Sequence, residues 1–136
     1  MPLMVNGSLS GLCKKFRSLP IDLVRHFAAQ LVEALAILHS GDLVHRDLKP
    51  ENILLTSTYA GLRLGDFGLI KPLGDHDRTY TVCGTPEYMA PEVIVGQGYG
   101  RSVDYWALGM VIYELVTGET AFKGTGPNDI CKKVTT

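Results

Sequence analysis

Between Ser102 and Thr117 the chain reads SVDYWALGMVIYELVT, with Trp106, Leu108, Met110, Val111, Ile112, Leu115 and Val116 spread round nearly the whole circumference of a helix. A helix apolar on all sides is a buried one, so the rest of the chain has to be arranged about this segment, which Gly118 closes. At 136 residues, 46% hydrophobic and 20% charged, the chain suffices for one globular domain with a core and is short for two. Thirteen Lys and Arg against fourteen Asp and Glu leave a net charge of -1. That balance offers no basic arm to nucleic acid and no polybasic patch to a membrane surface, so neither partner is expected. No apolar run approaches a membrane span, and the opening MPLMVNGSLSGLCKKF lacks the basic flank and apolar length of a secretory signal.

The cysteines, Cys13, Cys83 and Cys131, are odd in number and form no C-x-x-C pair. Neither a disulfide framework nor a structural zinc site is expected, and a soluble, intracellular protein of the reducing cytoplasm, with the nucleus also open to it, fits best. Cys13 and Cys131 read as small packing residues. Cys83 has a functional case, since it lies on an exposed loop where oxidation could matter, but packing is the better reading. His26, His39 and His45 have no second ligand at metal spacing and read as packing or helix residues.

Ser18-Leu19-Pro20 opens the other strong helix, a capping Ser and a first-turn Pro followed by Val24, Phe27, Leu31, Leu35 and Leu38 at three-to-four spacing until Gly41. From Asp42 to Gly65 the period changes, and the runs Leu43-Val44, Ile53-Leu54-Leu55 and Leu62-Arg63-Leu64 read as short strands presenting loops. Leu69 to Pro91 mixes Gly, Pro, Asp and Thr without periodicity and is longer than structural loops usually are, which marks it as functional or disordered. Gly96 to Gly100 reads as a plain loop, and Gly126-Pro127-Asn128-Asp129 starts a last helix.

The loop between the first two strands, His45-Arg46-Asp47-Leu48-Lys49-Pro50-Glu51-Asn52, sets an acid, a cation and an amide within six residues. That set suits the handling of a charged oxyanion. Beyond the third strand, Asp66-Phe67-Gly68 supplies a second carboxylate that could share a hard cation with Asn52, because Mg²⁺ takes oxygen ligands and usually few from the protein. The tripeptide alone reads equally as a strand-ending turn.

HRDLKPEN at 45–52, DFG at 66–68, GTPEYMAPE at 84–92 and DYWALG at 104–109 stand in one order and spacing, and by them the chain resembles the eukaryotic protein kinases. Lys49 and the Gly-Thr-Pro-Glu run make it similar to the serine/threonine kinases. Arg78 to Thr85 and Asp104-Tyr105-Trp106 make it most similar to the cyclic-nucleotide-dependent kinases of the AGC group. The resemblance implies an α+β, protein-kinase-like fold, mainly the helical C-terminal lobe and truncated at both ends. Residues 1–136 would form a partial catalytic domain of hinge, catalytic loop, activation segment and central buried helix.

The same resemblance implies roles. Asp47 would orient the substrate hydroxyl and accept its proton, Lys49 would neutralise the transferring phosphate, and Thr85 would bridge the two. Asn52 and Asp66 would hold Mg²⁺, while Leu54 and the hinge segment from Met1 to Met4 would contact the adenine of ATP. Thr81 would be the activation-loop phosphosite, with Arg46 and Lys71 as its cations. Glu51 and Glu114 would receive an arginine two residues before the phosphoacceptor, and Val82 and Met89 would line an apolar pocket for the residue after it. Ser8 stands where close relatives carry a glutamate, which weakens the case for a second arginine three residues upstream. Glu92 and Asp104 would anchor the substrate loop and the catalytic loop.

The 136 residues include neither a glycine-rich phosphate loop nor its strand lysine, and the last helix starts near their end, so the resemblance leads to an expectation of a domain short of both lobe ends. The expected partners are therefore a protein substrate together with the N-terminal lobe and C-terminal helices, or something that covers the exposed core. The chain by itself is expected to transfer phosphate weakly or not at all. The alternative is a non-catalytic binding or decoy module, which would have no need of Asp47, Lys49, Asn52 and Asp66 together.

Overall fold

The computed structural model describes residues 7–56, 61–65, 68–74 and 78–136. Two helices lie in the first third, α1 (Leu9–Phe16) and α2 (Ile21–Ser40). Four short strands follow, β1 (Leu43–Val44), β2 (Ile53–Leu55), β3 (Leu62–Leu64) and β4 (Lys71–Pro72), and then α3 (Pro91–Ile94), α4 (Ser102–Thr117) and α5 (Pro127–Thr135). Single 3₁₀ turns at Pro50–Asn52 and Pro86–Tyr88 each begin on a proline, which fixes φ and has no N–H to leave unpaired.

The strands form two antiparallel pairs. β1 meets β4 with Val44 opposite Lys71, and β2 meets β3 with Ile53 opposite Leu64 and Leu55 opposite Leu62. Each pair closes the base of one loop, so the 45–52 loop is pinned at both ends.

The main core is built where α2 crosses α4: Val24, Phe27, Leu31 and Leu35 from α2 meet Ala107, Leu108, Val111 and Leu115 from α4, with Leu9, Leu48, Ile53 and Leu55 completing the layer. A second cluster, Val44, Leu73, Ala90, Val93, Tyr99 and Val103, sits beneath the 79–93 segment.

Helix α4 begins and ends where the sequence places it, but it is not buried all round. Tyr105, Tyr113 and Val116 are 46%, 47% and 41% exposed. Apolar character on every side does not itself provide a neighbour on every side, and the described elements bury the face through Val103, Asp104, Ala107, Leu108, Val111 and Leu115.

Three other expectations change. Ser18 does not cap α2; Pro20 takes that position, its carbonyl accepting the Val24 N–H at 3.0 Å. Helix α1 lies in a stretch where no helix is expected, and β4 and the Pro86–Tyr88 turn lie within the aperiodic 69–91 stretch. Eight residues containing Gly11 are too few to show a helical period; α1 is held by Leu9, which is fully buried.

Candidate active site

Asp47 carries the centre of the site. Its Oδ1 accepts the Thr85 hydroxyl at 3.0 Å, and Thr85 Oγ1 in turn accepts from Lys49 Nζ at 2.8 Å. Lys49 Nζ also stands 3.6 Å from Asp47 Oδ2, closing a triangle of acid, hydroxyl and cation. Asn52, itself buried, donates its Nδ2 to the Asp47 backbone carbonyl at 2.8 Å and to Asp47 Oδ2 at 3.3 Å. Thr85, 38 residues away in sequence, is thus brought against the loop that carries the acid and the lysine.

The loop is held from below by Asp104, 1% exposed on the first turn of α4. One carboxylate oxygen accepts the His45 backbone N–H at 2.9 Å, and the other accepts that of Arg46 at 3.0 Å. His39 Nε2 lies 2.8 Å from Asp104 Oδ2. A carboxylate that already accepts two N–H groups takes a third from the ring nitrogen. His45 is wholly buried; its Nδ1 accepts the Asp47 N–H at 3.2 Å, so Nε2 carries the hydrogen and donates to the Gly65 carbonyl at 3.2 Å. Arg46 adopts φ 71, the left-handed region, which turns Asp47 out of the packed layer.

Beside the triangle is a cavity of about 270 Å³ lined by Lys49, Glu51, Thr85, Glu87, Tyr88, Glu114 and Thr120. Tyr88 donates its hydroxyl to Glu114 Oε2 at 2.5 Å, and Ser10 donates to Glu51 Oε1 at 3.4 Å. Burial raises the Glu114 carboxyl above its ordinary value; the Tyr88 hydrogen bond opposes this, and the charges of Glu51 and Glu87 add to it. Glu87 and Tyr88 belong to the wall of this cavity and were not singled out as site residues. Their signal was the Glu-Tyr within GTPEYMAPE.

The other sequence-derived positions fall as follows. Met4 and Asp66 lie outside the described residues. Leu54 is half-buried on β2, bridged to Ser8. Thr81 is exposed, while Lys71 Nζ donates not to it but to Thr79 at 3.0 Å. Arg46 Nε donates to the Leu69 carbonyl at 2.6 Å, and its buried Nη1 has no partner among the described residues. Val82 is 59% exposed, whereas Met89 packs against the second core cluster; the structure does not bring these two into one pocket. Glu92 is half-buried, and its carboxylate makes no hydrogen bond or ion pair among the described residues. Cys83, expected on an exposed loop, is half-buried against Tyr99, and all three cysteines are unpaired.

The described residues thus form a mixed helix-and-strand unit, a two-helix core bearing a loop of acid, lysine and asparagine and crossed by a threonine-bearing segment. The protein kinase domain family matches residues 1–136, and the chain belongs to that family. It is 48% identical over 115 residues to the serine/threonine protein kinase ypkA of Aspergillus fumigatus, covering 84% of this chain and 18% of that protein. It is 50% identical over 108 residues to the cAMP-dependent protein kinase catalytic subunit PRKX of Mus musculus, covering 79% of this chain and 30% of that protein. With the cAMP-dependent protein kinase catalytic subunit-like protein of Caenorhabditis elegans the identity is 41% over 130 residues, 96% of this chain and 32% of that protein. The AGC-like serine/threonine resemblance stands, and the chain spans 18% to 32% of the length of these relatives.

Proposed function

We propose that these residues form the catalytic-loop half of a serine/threonine protein kinase, transferring the γ-phosphate of ATP to a protein hydroxyl. The observation that carries this reading is the Asp47–Thr85–Lys49 triangle. Asp47, oriented by Thr85 and Asn52, accepts the proton of the attacking hydroxyl as its oxygen bonds to phosphorus and the bond to the ADP oxygen breaks. Lys49, fixed through Thr85, faces the charge that spreads over the transferring group.

Asn52 suits Mg²⁺: its amide nitrogen is committed to Asp47, which leaves its oxygen as the ligand atom, the donor type that this ion takes. Asp66 would be the second ligand, and the bound ion would neutralise phosphate charge. Leu54 and Met4 would contact the adenine.

The cavity with Glu51, Glu87 and Glu114 supports a basic substrate residue, an arginine by the family's habit. Ser8 offers no second carboxylate. Thr81 is the proposed phosphosite on two grounds: it is exposed, and the cation Arg46 interacts with the same Tyr99 hydroxyl that donates to the Thr81 carbonyl. We place the protein in the cytoplasm, where unpaired thiols persist.

The test is a chimera in which this chain replaces the matching segment of PRKX. Phosphate transfer to an arginine-bearing peptide is expected from it and is expected to fall at least 1000-fold on Asp47→Asn, on the order of the loss of a reacting group. A folded chimera no more active than its Asp47→Asn form would sink the reading.

A further inference from the structure

Residues 79–83 are fastened from behind to the loop that leads into α4. Thr79 and Tyr99 exchange both backbone hydrogen bonds, Thr79 N–H to the Tyr99 carbonyl at 2.9 Å and Tyr99 N–H to the Thr79 carbonyl at 3.0 Å. Two residues further on, the Tyr99 hydroxyl donates to the Thr81 carbonyl and lies 3.8 Å from Cys83 Sγ. Tyr99 is 3% exposed, and a buried phenol needs partners for its hydroxyl. Both of these lie on the segment that passes over it, and the Arg46 guanidinium on the catalytic loop also interacts with the hydroxyl.

The residue between, Tyr80, is 66% exposed and rests its ring over Gly98, where an added Cβ would come within 2.9 Å of it. That contact involves the far end of an exposed side chain and can shift at little cost. The strength of the attachment therefore lies in Tyr99. Only three residues separate Thr81 from Thr85, whose hydroxyl meets Asp47.

We propose that Tyr99 is a positioning residue: its strand bridge and its hydroxyl fix the course of residues 79–83 and so deliver Thr85 to Asp47 and Lys49. The backbone of Thr81 is then set in place before any phosphate is added, and a phosphate would add to a segment already placed. The consequence for phosphate transfer rests on the proposed function; the attachment itself does not.

The test uses Tyr99→Phe, which keeps the ring and removes the hydroxyl, in the 136-residue chain. Alkylation of Cys83 by iodoacetamide is expected to quicken at least about threefold, and exchange of the Thr79 and Tyr99 amides about fivefold, the scale of one lost hydrogen bond. The amides of Leu31 and Leu35 should not change. Gly98→Ala and Tyr80→Ala should leave both readings within about twofold, as expected for a contact at the surface. In the PRKX chimera, Tyr99→Phe is expected to lower kcat with the KM for ATP unchanged, and to have no further effect when Thr85 is already alanine. Unchanged Cys83 and Thr79 rates would overturn the attachment, as would a rise shared equally by α2. Faster Cys83 and Thr79 rates with a kcat loss that persists in the Thr85→Ala background would overturn the delivery of Thr85. A chimera inactive in every form would count against the proposed function alone, the chain measurements still deciding the attachment.

Discussion

Replacing Asp104 isolates the link between the core and the catalytic loop. In Asp104→Ala the backbone N–H groups of His45 and Arg46 lose their acceptor, and His45 is wholly buried. A buried donor without a partner costs about 1–3 kcal/mol, so the pair costs about 2–6 kcal/mol. His39 loses its 2.8 Å contact as well. A domain of this length has a stability of only about 7–20 kcal/mol, so the loss is a large share of it. Asp104→Asn keeps the shape and one acceptor oxygen but turns an amide NH₂ toward the other donors, and should cost about half as much, roughly 1–3 kcal/mol. Urea unfolding midpoints give the magnitudes, and hydrogen exchange at the His45 and Arg46 amides gives the location. The reasoning fails if Asp104→Ala lies within about 0.5 kcal/mol of wild type, the range of an ordinary surface change, or if those two amides stay as protected as before.

Gly118 closes α4 at φ 81, and an added Cβ would stand 2.8 Å from Arg17 Cγ and 3.0 Å from its carbonyl oxygen. Gly118→Ala should therefore destabilise by about 1–3 kcal/mol in urea unfolding, because the left-handed strain adds to the clash. Burial, aided by Glu114 and Glu51, pushes the Cys13 thiol up from 9.0 to about 11. Iodoacetamide at pH 9 should then modify Cys13 about fiftyfold more slowly than a thiol of ordinary pKa, by thiolate fraction alone. Glu114 is raised above 4.5 chiefly by burial, so the folded state holds its proton more tightly than the unfolded one, and stability falls as pH rises from about 4.5 through the folded value. Glu114→Gln should remove that part of the decline, which paired melting curves at pH 4.5 and 7 would show. Thr85→Ala in the PRKX chimera should lower kcat more than the KM for ATP, because Thr85 contacts Asp47 and Lys49.

Much of the fold could be read from periodicity. The bounds of α4, the three strands between Leu43 and Leu64, and the start of α5 follow from apolar spacing and from Gly and Pro at element ends. What escaped depends on neighbours rather than on local pattern. Helix α1 exists because Leu9 is buried beneath β2, and β4 exists because Lys71 and Pro72 meet β1 across some 28 residues. The grouping of Asp47, Lys49 and Thr85 was reached through motifs, whereas Glu87 and Tyr88 came into the site only when the 3₁₀ turn at Pro86–Tyr88 set them facing Glu114. The preference of Lys71 for Thr79 over Thr81 is equally a matter of geometry, since either hydroxyl fits the sequence.

The two attachments that position the triangle arise from one short stretch. Tyr99 holds the segment that leads to Thr85, and Asp104, five residues later, holds the loop that leads to Asp47. Both also line a cavity of about 20 Å³, together with Arg46, Asp47, Cys83 and Thr85, room for about one water. The 3.0 Å contact between Thr85 and Asp47 therefore joins two loops anchored to one short stretch, Tyr99 in the loop before α4 and Asp104 in its first turn. Loops that share an anchor move together, so a shift of that stretch displaces both and preserves their separation, whereas loss of either anchor separates them. Mutations at Tyr99 and Asp104 should consequently be less than additive on kcat, because each alone already breaks the same contact. Additive losses would mean that the two loops reach Asp47 and Thr85 independently.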